Sequence, residues 1–297
     1  MNTTDSTAWR GAFAYIPTPA DAGHDVDEGA LTALVERCIA DGIHGLTPLG
    51  SSGELPLLDS DQRARVNATT VAAANGRVPV IGGVGGFDTR SMVADAKRAA
   101  VDGCDGVLLV PQAYYPLRDP EVLSVIEAVV EAVDVPVVLY NHPGVTGVDL
   151  SDEVIRRSVA ELGIRYAKDA SGQITKISRW IEVTGGELNV FCATAVSPSS
   201  AMLLGAVGLM SGPAALLTAE SREIYELAAA GHWAEAVTAE NRLNPALTVF
   251  RKMGPARGIK ALFEAAGQSV GHPFPPLAPI SDEELGWVKG QLAGLRG

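Results

Sequence analysis

One pattern constrains this chain more than any other: a short apolar run ends, a longer segment with helical spacing follows, and the pair repeats. The runs end near Pro17, Pro48, Gly83, Val110, Asn141, Lys168, Cys192 and Met210. The intervals between these ends lie between 35 and 18 residues, bracketing the ~30 residues of a strand–helix unit. The runs VPVIGG, GVLLV and VPVVLY are continuously apolar, as parallel strands covered on both faces are. Between them Glu28–Ala40, Ser60–Ala74, Thr89–Val101, 120–133 and 152–161 have amphipathic helical spacing, and Ser60 and Ser151 offer N-cap chemistry. Eight units predict an α/β fold, a (β/α)8 TIM barrel over residues 1–212. A doubly wound sheet is the rival, but no GxGxxG follows the first strand. Beyond Gly212 no strand is evident. Helical patterns over 214–230, 233–251, 257–266 and 282–292 assign 213–297 to the last barrel helix and a C-terminal helical extension packed on the barrel. A separate second domain is the other reading.

Composition narrows the partners. With 23 Lys+Arg against 35 Asp+Glu, the net charge of −12 argues against nucleic acid or an anionic membrane. Cys38, Cys104 and Cys192 are widely spaced, and His24, His44, His142, His232 and His272 show no ligand spacing, so neither a disulfide framework nor a metal site is expected. MNTTDSTAWR lacks the features of a signal peptide, and no apolar run reaches the ~18 residues of a membrane span. The expectation is a cytoplasmic protein.

In such barrels the reactive groups stand at the C-terminal ends of the strands. Lys168, in LGIRYAKDASG, is the one lysine of six that closes an apolar strand. It shares a face with Ile164 and Tyr166; if that face is interior, burial lowers the amine's pKa. A fall from ~10.4 to near 7 corresponds to ~4 kcal/mol, within what a folded domain tolerates. A neutral amine there attacks a carbonyl to form a Schiff base. The plainer reading is an ion pair with Asp169. Tyr140 closes the preceding strand, and its phenol is placed to move protons, although strand tyrosines are more often core. The GSSGE turn at 50–54 offers N–H and hydroxyl groups for a carboxylate. GGVGG at 82–86 is better explained by close backbone packing. An anion-binding turn, a phenol and an amine together form a working set for chemistry on a 2-oxo acid.

At residues 50–54 the sequence has G-[TS]-[TS]-G-E, at 140–147 Y-N-x-P-x-x-[TS]-G, at 167–172 a close variant of [IV]-K-[DE]-[SAT]-[ST]-G, and at 205–211 G-x-x-G-x-[IM]-S. In order and spacing along the whole chain it resembles the dihydrodipicolinate synthase and N-acetylneuraminate lyase family of pyruvate-dependent class I aldolases. The resemblance implies a barrel with C-terminal helices, a homotetramer, no cofactor, and a lyase joining or splitting a 2-oxo acid and an aldehyde. It implies that Lys168 forms the imine, Tyr140 passes protons, and Ser51 and Ser52 hold the substrate carboxylate. The carbonyl of Met210 would lie near the site. A second tyrosine would come from a neighbouring subunit; PQAYYPL offers Tyr114 or Tyr115, and the count back from Asp119 favours Tyr115.

Departures from the family pattern bear on the substrate. Val145 stands where dihydrodipicolinate synthases typically carry an arginine for the aldehyde's carboxylate, and valine cannot make that contact. His142 replaces an aliphatic residue and either contacts substrate or is satisfied by loop backbone. FCATAVSPSS, after strand seven, lacks the usual Gly-Asp. These differences favour a less acidic or differently shaped second substrate. The alternatives are a 4-hydroxy-tetrahydrodipicolinate synthase using pyruvate and aspartate semialdehyde, a hydro-lyase on a sugar-derived 2-oxo acid, or a non-catalytic 2-oxo acid binder. The scattered histidines disfavour a metal-dependent class II aldolase.

Overall fold

The computed structural model describes residues 9–193 and 196–293. The MNTTDSTA start and Thr194-Ala195 of FCATAVSPSS lie outside the described residues. The eight predicted strands are β1 (Gly11–Tyr15), β2 (Gly45–Thr47), β3 (Ile81–Gly86), β4 (Gly106–Pro111), β5 (Val137–Asn141), β6 (Tyr166–Asp169), β7 (Asn189–Cys192) and β8 (Gly208–Ser211). They form one parallel sheet in the order β2-β1-β8-β7-β6-β5-β4-β3. The remaining seam between β2 and β3 is joined by a parallel bridge from Leu46 to Val80. There the Leu46 N–H donates to the Pro79 carbonyl at 2.9 Å and the Gly83 N–H to that of Pro48 at 3.0 Å. The sheet closes on itself as a (β/α)8 barrel. Gly83 is what allows the approach: a Cβ there would lie 1.9 Å from the Leu49 carbonyl oxygen. GGVGG is thus a close-packing motif, as expected.

The helices are α1 (Glu28–Ala40), α2 (Ser60–Ala74), α3 (Thr89–Val101), α4 (Asp119–Val130), the single turn α5 (Pro143–Thr146), α6 (Asp152–Leu162), α7 (Thr175–Val183), α8 (Pro198–Leu203) and α9 (Thr218–Ala229). The tail adds α10 (Trp233–Asn241), α11 (Asn244–Met253), α12 (Pro255–Ala265) and α13 (Asp282–Ala293). Two local expectations need correction. Asp59, not Ser60, caps α2: its carboxylate accepts from the Gln62 N–H at 2.8 Å while Gln62 accepts from the Asp59 N–H at 3.1 Å, a reciprocal box. The predicted helix 233–251 is two helices, because Pro245 has no N–H to continue the ladder and is tolerated only in the first turn of α11. Ser151 caps α6 as expected, accepting from the Val154 N–H at 3.1 Å.

Side chains fill the barrel interior. Phe13 and Phe191 meet edge to face at 5.1 Å, and Met210 is fully buried. Trp9 stacks on Tyr166 with centroids 4.8 Å apart, and its backbone N–H donates to the Tyr166 hydroxyl. Tyr166 precedes Lys168 by two residues, on the same face of β6. Among the described residues no helix is long and apolar enough to cross a membrane. All three cysteines are free and buried.

Candidate active site

Lys168 is buried at the end of β6, with only 4% of its surface exposed. Its Nζ lies 3.9 Å from the ring centroid of Tyr15 and 4.3 Å from that of Tyr140. The two ring faces offer an ammonium some attraction, yet burial dominates and lowers the amine to about 7, against opposing contributions from Cys192 and Asp169. The ion pair with Asp169 does not form. Strand alternation turns that carboxylate to the other face, where it accepts from the Asn141 amide at 2.7 Å and the Ser171 hydroxyl at 2.8 Å. Asn141 also donates to Asp149 at 3.1 Å, accepts from the Leu150 N–H at 2.9 Å, and gives its carbonyl to the Ala170 N–H. This network clamps the ends of β5 and β6 so that Tyr140 and Lys168 stand side by side as register partners.

Tyr140 is buried, and burial drives its phenol above the usual range. Its hydroxyl and the Ser51 Oγ share a hydrogen bond of 3.0 Å in which either can donate. Ser51 opens the short 3₁₀ turn Ser51–Gly53 after β2, and the first N–H groups of such a turn have no partner within it. A Cβ on Gly50 would lie 2.2 Å from the Tyr15 ring, so the glycine makes room for one wall of the amine's box.

The turn is anchored from below. Glu54, the last residue of GSSGE, forms a fully buried ion pair with Lys260 of α12 at 2.7 Å. Glu54 also accepts from the Phe274 N–H at 2.9 Å, and Lys260 donates to the His272 carbonyl at 2.7 Å. Burial pushes the carboxyl up and the ammonium down, each opposed by the other's charge.

Lys168, Tyr140, Ser51, Ser52, His142 and Met210 all line one cavity of about 270 Å³. The His142 ring stands edge-on to Tyr140 with centroids 5.8 Å apart. Its Nδ1 is buried without a partner among the described residues, so loop backbone does not satisfy it there. Burial and the nearby Lys168 charge lower the imidazole to about 4, leaving it neutral near pH 7. Val145 also lines the cavity. Tyr115 does not: it is 74% exposed, packed edge to face on Tyr114, which is 81% exposed.

Sequence reasoning missed four contributors. Tyr15 shares strand parity with Phe13, which could have marked it as inward-facing. Phe250 and Arg251 of α11 line the cavity although they stand far along the chain in the tail. Lys260 had no local signal, because its partner is some two hundred residues away. Among the described residues, no group of three or more His, Cys, Asp or Glu is placed to hold a metal.

The family model of the dihydrodipicolinate synthetase family matches residues 8–293. A 4-hydroxy-tetrahydrodipicolinate synthase from Halalkalibacterium halodurans is 31% identical over 90% of this chain and 90% of its own. One from Sorangium cellulosum is 32% identical over 96% and 97%. The crystal structure of a chloride-inhibited dihydrodipicolinate synthase from Acinetobacter baumannii, complexed with pyruvate, superposes with a TM-score of 0.93 at 27% identity. That match covers 97% of this chain and 99% of the other.

Proposed function

Because the chain belongs to the dihydrodipicolinate synthetase family and is a carbon–carbon lyase of aldolase type, we propose that Lys168 forms a Schiff base with pyruvate or a related 2-oxo acid. The observation that carries this reading is the buried amine, held near 7 between two aromatic faces beside a hydroxyl pair. Neutral Nζ adds to the keto carbon, and the carbinolamine loses water to give the imine. Loss of a proton from the adjacent carbon gives an enamine, which attacks the aldehyde carbon; hydrolysis then frees the amine. Cleavage runs the same steps backwards. Tyr140 and Ser51 move these protons along their shared hydrogen bond, while Ser52 and the N–H groups of the turn hold the substrate carboxylate. The contact with Tyr140 gives Ser51 a proton-relay role beside its carboxylate contact. Met210 and His142 shape the pocket wall.

Pyruvate with borohydride is expected to leave an irreversible mass increase on Lys168, located by peptide mass spectrometry. In Tyr140→Phe the same adduct forms roughly 10²- to 10⁴-fold more slowly, as loss of a proton-transfer group requires. An unmodified wild-type protein at saturating pyruvate removes the reading.

Synthesis from pyruvate and aspartate semialdehyde is the second reading, favoured by the names of the relatives. Comparing turnover of that aldehyde with neutral ones separates it from an aldolase of other specificity. The free, buried thiols suit a reducing cytoplasm. Exposed Phe87, Tyr114 and Tyr115 support a homotetramer in which Tyr115 reaches a neighbour's site. Sedimentation of the wild type as a tetramer, and of Tyr115→Ala as smaller species or as a tetramer of reduced activity, checks this; a fully active monomer refutes it.

A further inference from the structure

The cavity has an electrostatic asymmetry. The chain carries 35 Asp and Glu, yet none of those among the described residues lines this space, whereas two basic side chains do, Lys168 and Arg251. Arg251 lies in the last turn of α11 and has no ion-pair partner among the described residues, although arginines elsewhere on the surface are widely paired. The next residue, Lys252, faces away, its Nζ 4.1 Å above the Trp287 ring of α13. Arg251, exposed and free of any ion pair among the described residues, thus lines the cavity, and its neighbour does not. Val145, on the barrel side, supplies only methyl groups.

A guanidinium stays charged at every pH the protein meets and offers a planar fork that fits a carboxylate or a phosphate. The carboxylate of the 2-oxo acid is already served by the turn at Ser51 and Ser52, beside the amine. We propose that Arg251 is a specificity-determining residue that receives an anionic group at the far end of the aldehyde partner, or of the adduct to be cleaved. The chemical class is an aldehyde bearing a carboxylate or a phosphate. This rests on the aldolase reading of the site and adds to it where the second substrate is selected.

The test uses matched aldehydes with pyruvate: succinic semialdehyde against butanal, and glyceraldehyde 3-phosphate against glyceraldehyde. In Arg251→Gln, kcat/KM for the preferred anionic member should fall about 10- to 100-fold, the loss of one charge-assisted contact, and for its neutral partner by less than about threefold. Arg251→Lys should keep part of the preference, and Arg251→Glu should reverse it. The pair showing the larger change tells carboxylate from phosphate. Equal effects on both members of each pair, or none, overturn the proposal while borohydride trapping on Lys168 leaves the aldolase reading standing. If trapping fails, that reading falls, and calorimetric titration with succinate and inorganic phosphate still reads Arg251. Weaker binding to Arg251→Gln upholds its role, and equal binding removes it.

Discussion

Lys168→Arg is expected to lower kcat by roughly 10⁴-fold or more, the scale on which removing a covalent nucleophile acts. Arginine keeps the positive charge but cannot give it up, so no neutral nitrogen is available to form the imine. Steady-state turnover and borohydride trapping on the same protein check this, and wild-type rates in the variant would end the mechanism. The wild-type pH profile carries the same physics. With the amine held at about 7, the rate of imine formation should climb as pH rises through 7 and level off above it. Stability follows with a definite sign. The folded value lies below the ordinary 10.5, so folding disfavours the ammonium. That cost, about 5 kcal/mol from ~1.4 kcal/mol per unit, is fully present below pH 7 and fades as pH rises from 7 towards 10.5. Lys168→Met should therefore be inactive yet more stable than wild type in urea at pH 6, with the gap closing at pH 9.

Lys260→Met has the largest expected effect on folding. It removes one member of a fully buried pair and leaves the Glu54 carboxylate without its counter-charge. Breaking such a pair costs about 3–5 kcal/mol, and for a chain of this size roughly 10 °C in Tm. Glu54→Gln in the same background should recover much of the loss, because the uncompensated charge is then gone. Thermal unfolding of the two single variants and the double reads this directly; additive losses would refute the coupling. The Ser51–Gly53 turn immediately precedes Glu54, so the single variant should also bind pyruvate more weakly.

The barrel was legible because its cause is local. Each strand announces itself by a continuous apolar run and each helix by its spacing, so boundaries such as Glu28–Ala40 and Thr89–Val101 follow from short stretches of chain. The core of the site was legible for a related reason: Lys168, Tyr140 and the serines all stand at strand ends, where the barrel keeps its chemistry. What escaped was set by distance. Whether Asp169 pairs with Lys168 depends on which face Asn141 and Ser171 occupy. Glu54 finds Lys260, and the cavity finds Arg251, only after the tail folds back over the mouth. Pro245 was visible, but the amphipathic pattern around it ran on and hid the break between α10 and α11.

That folded-back tail separates two inheritances within one catalyst. Bond-making groups belong to strand ends fixed by the closed sheet, while part of the wall meeting the second reactant belongs to α11, outside the hydrogen-bonded ladder. Changes at that helix can retune what the enzyme accepts without disturbing the nucleophile. Lineages built on this scaffold therefore have room to diversify in diet while preserving their chemistry.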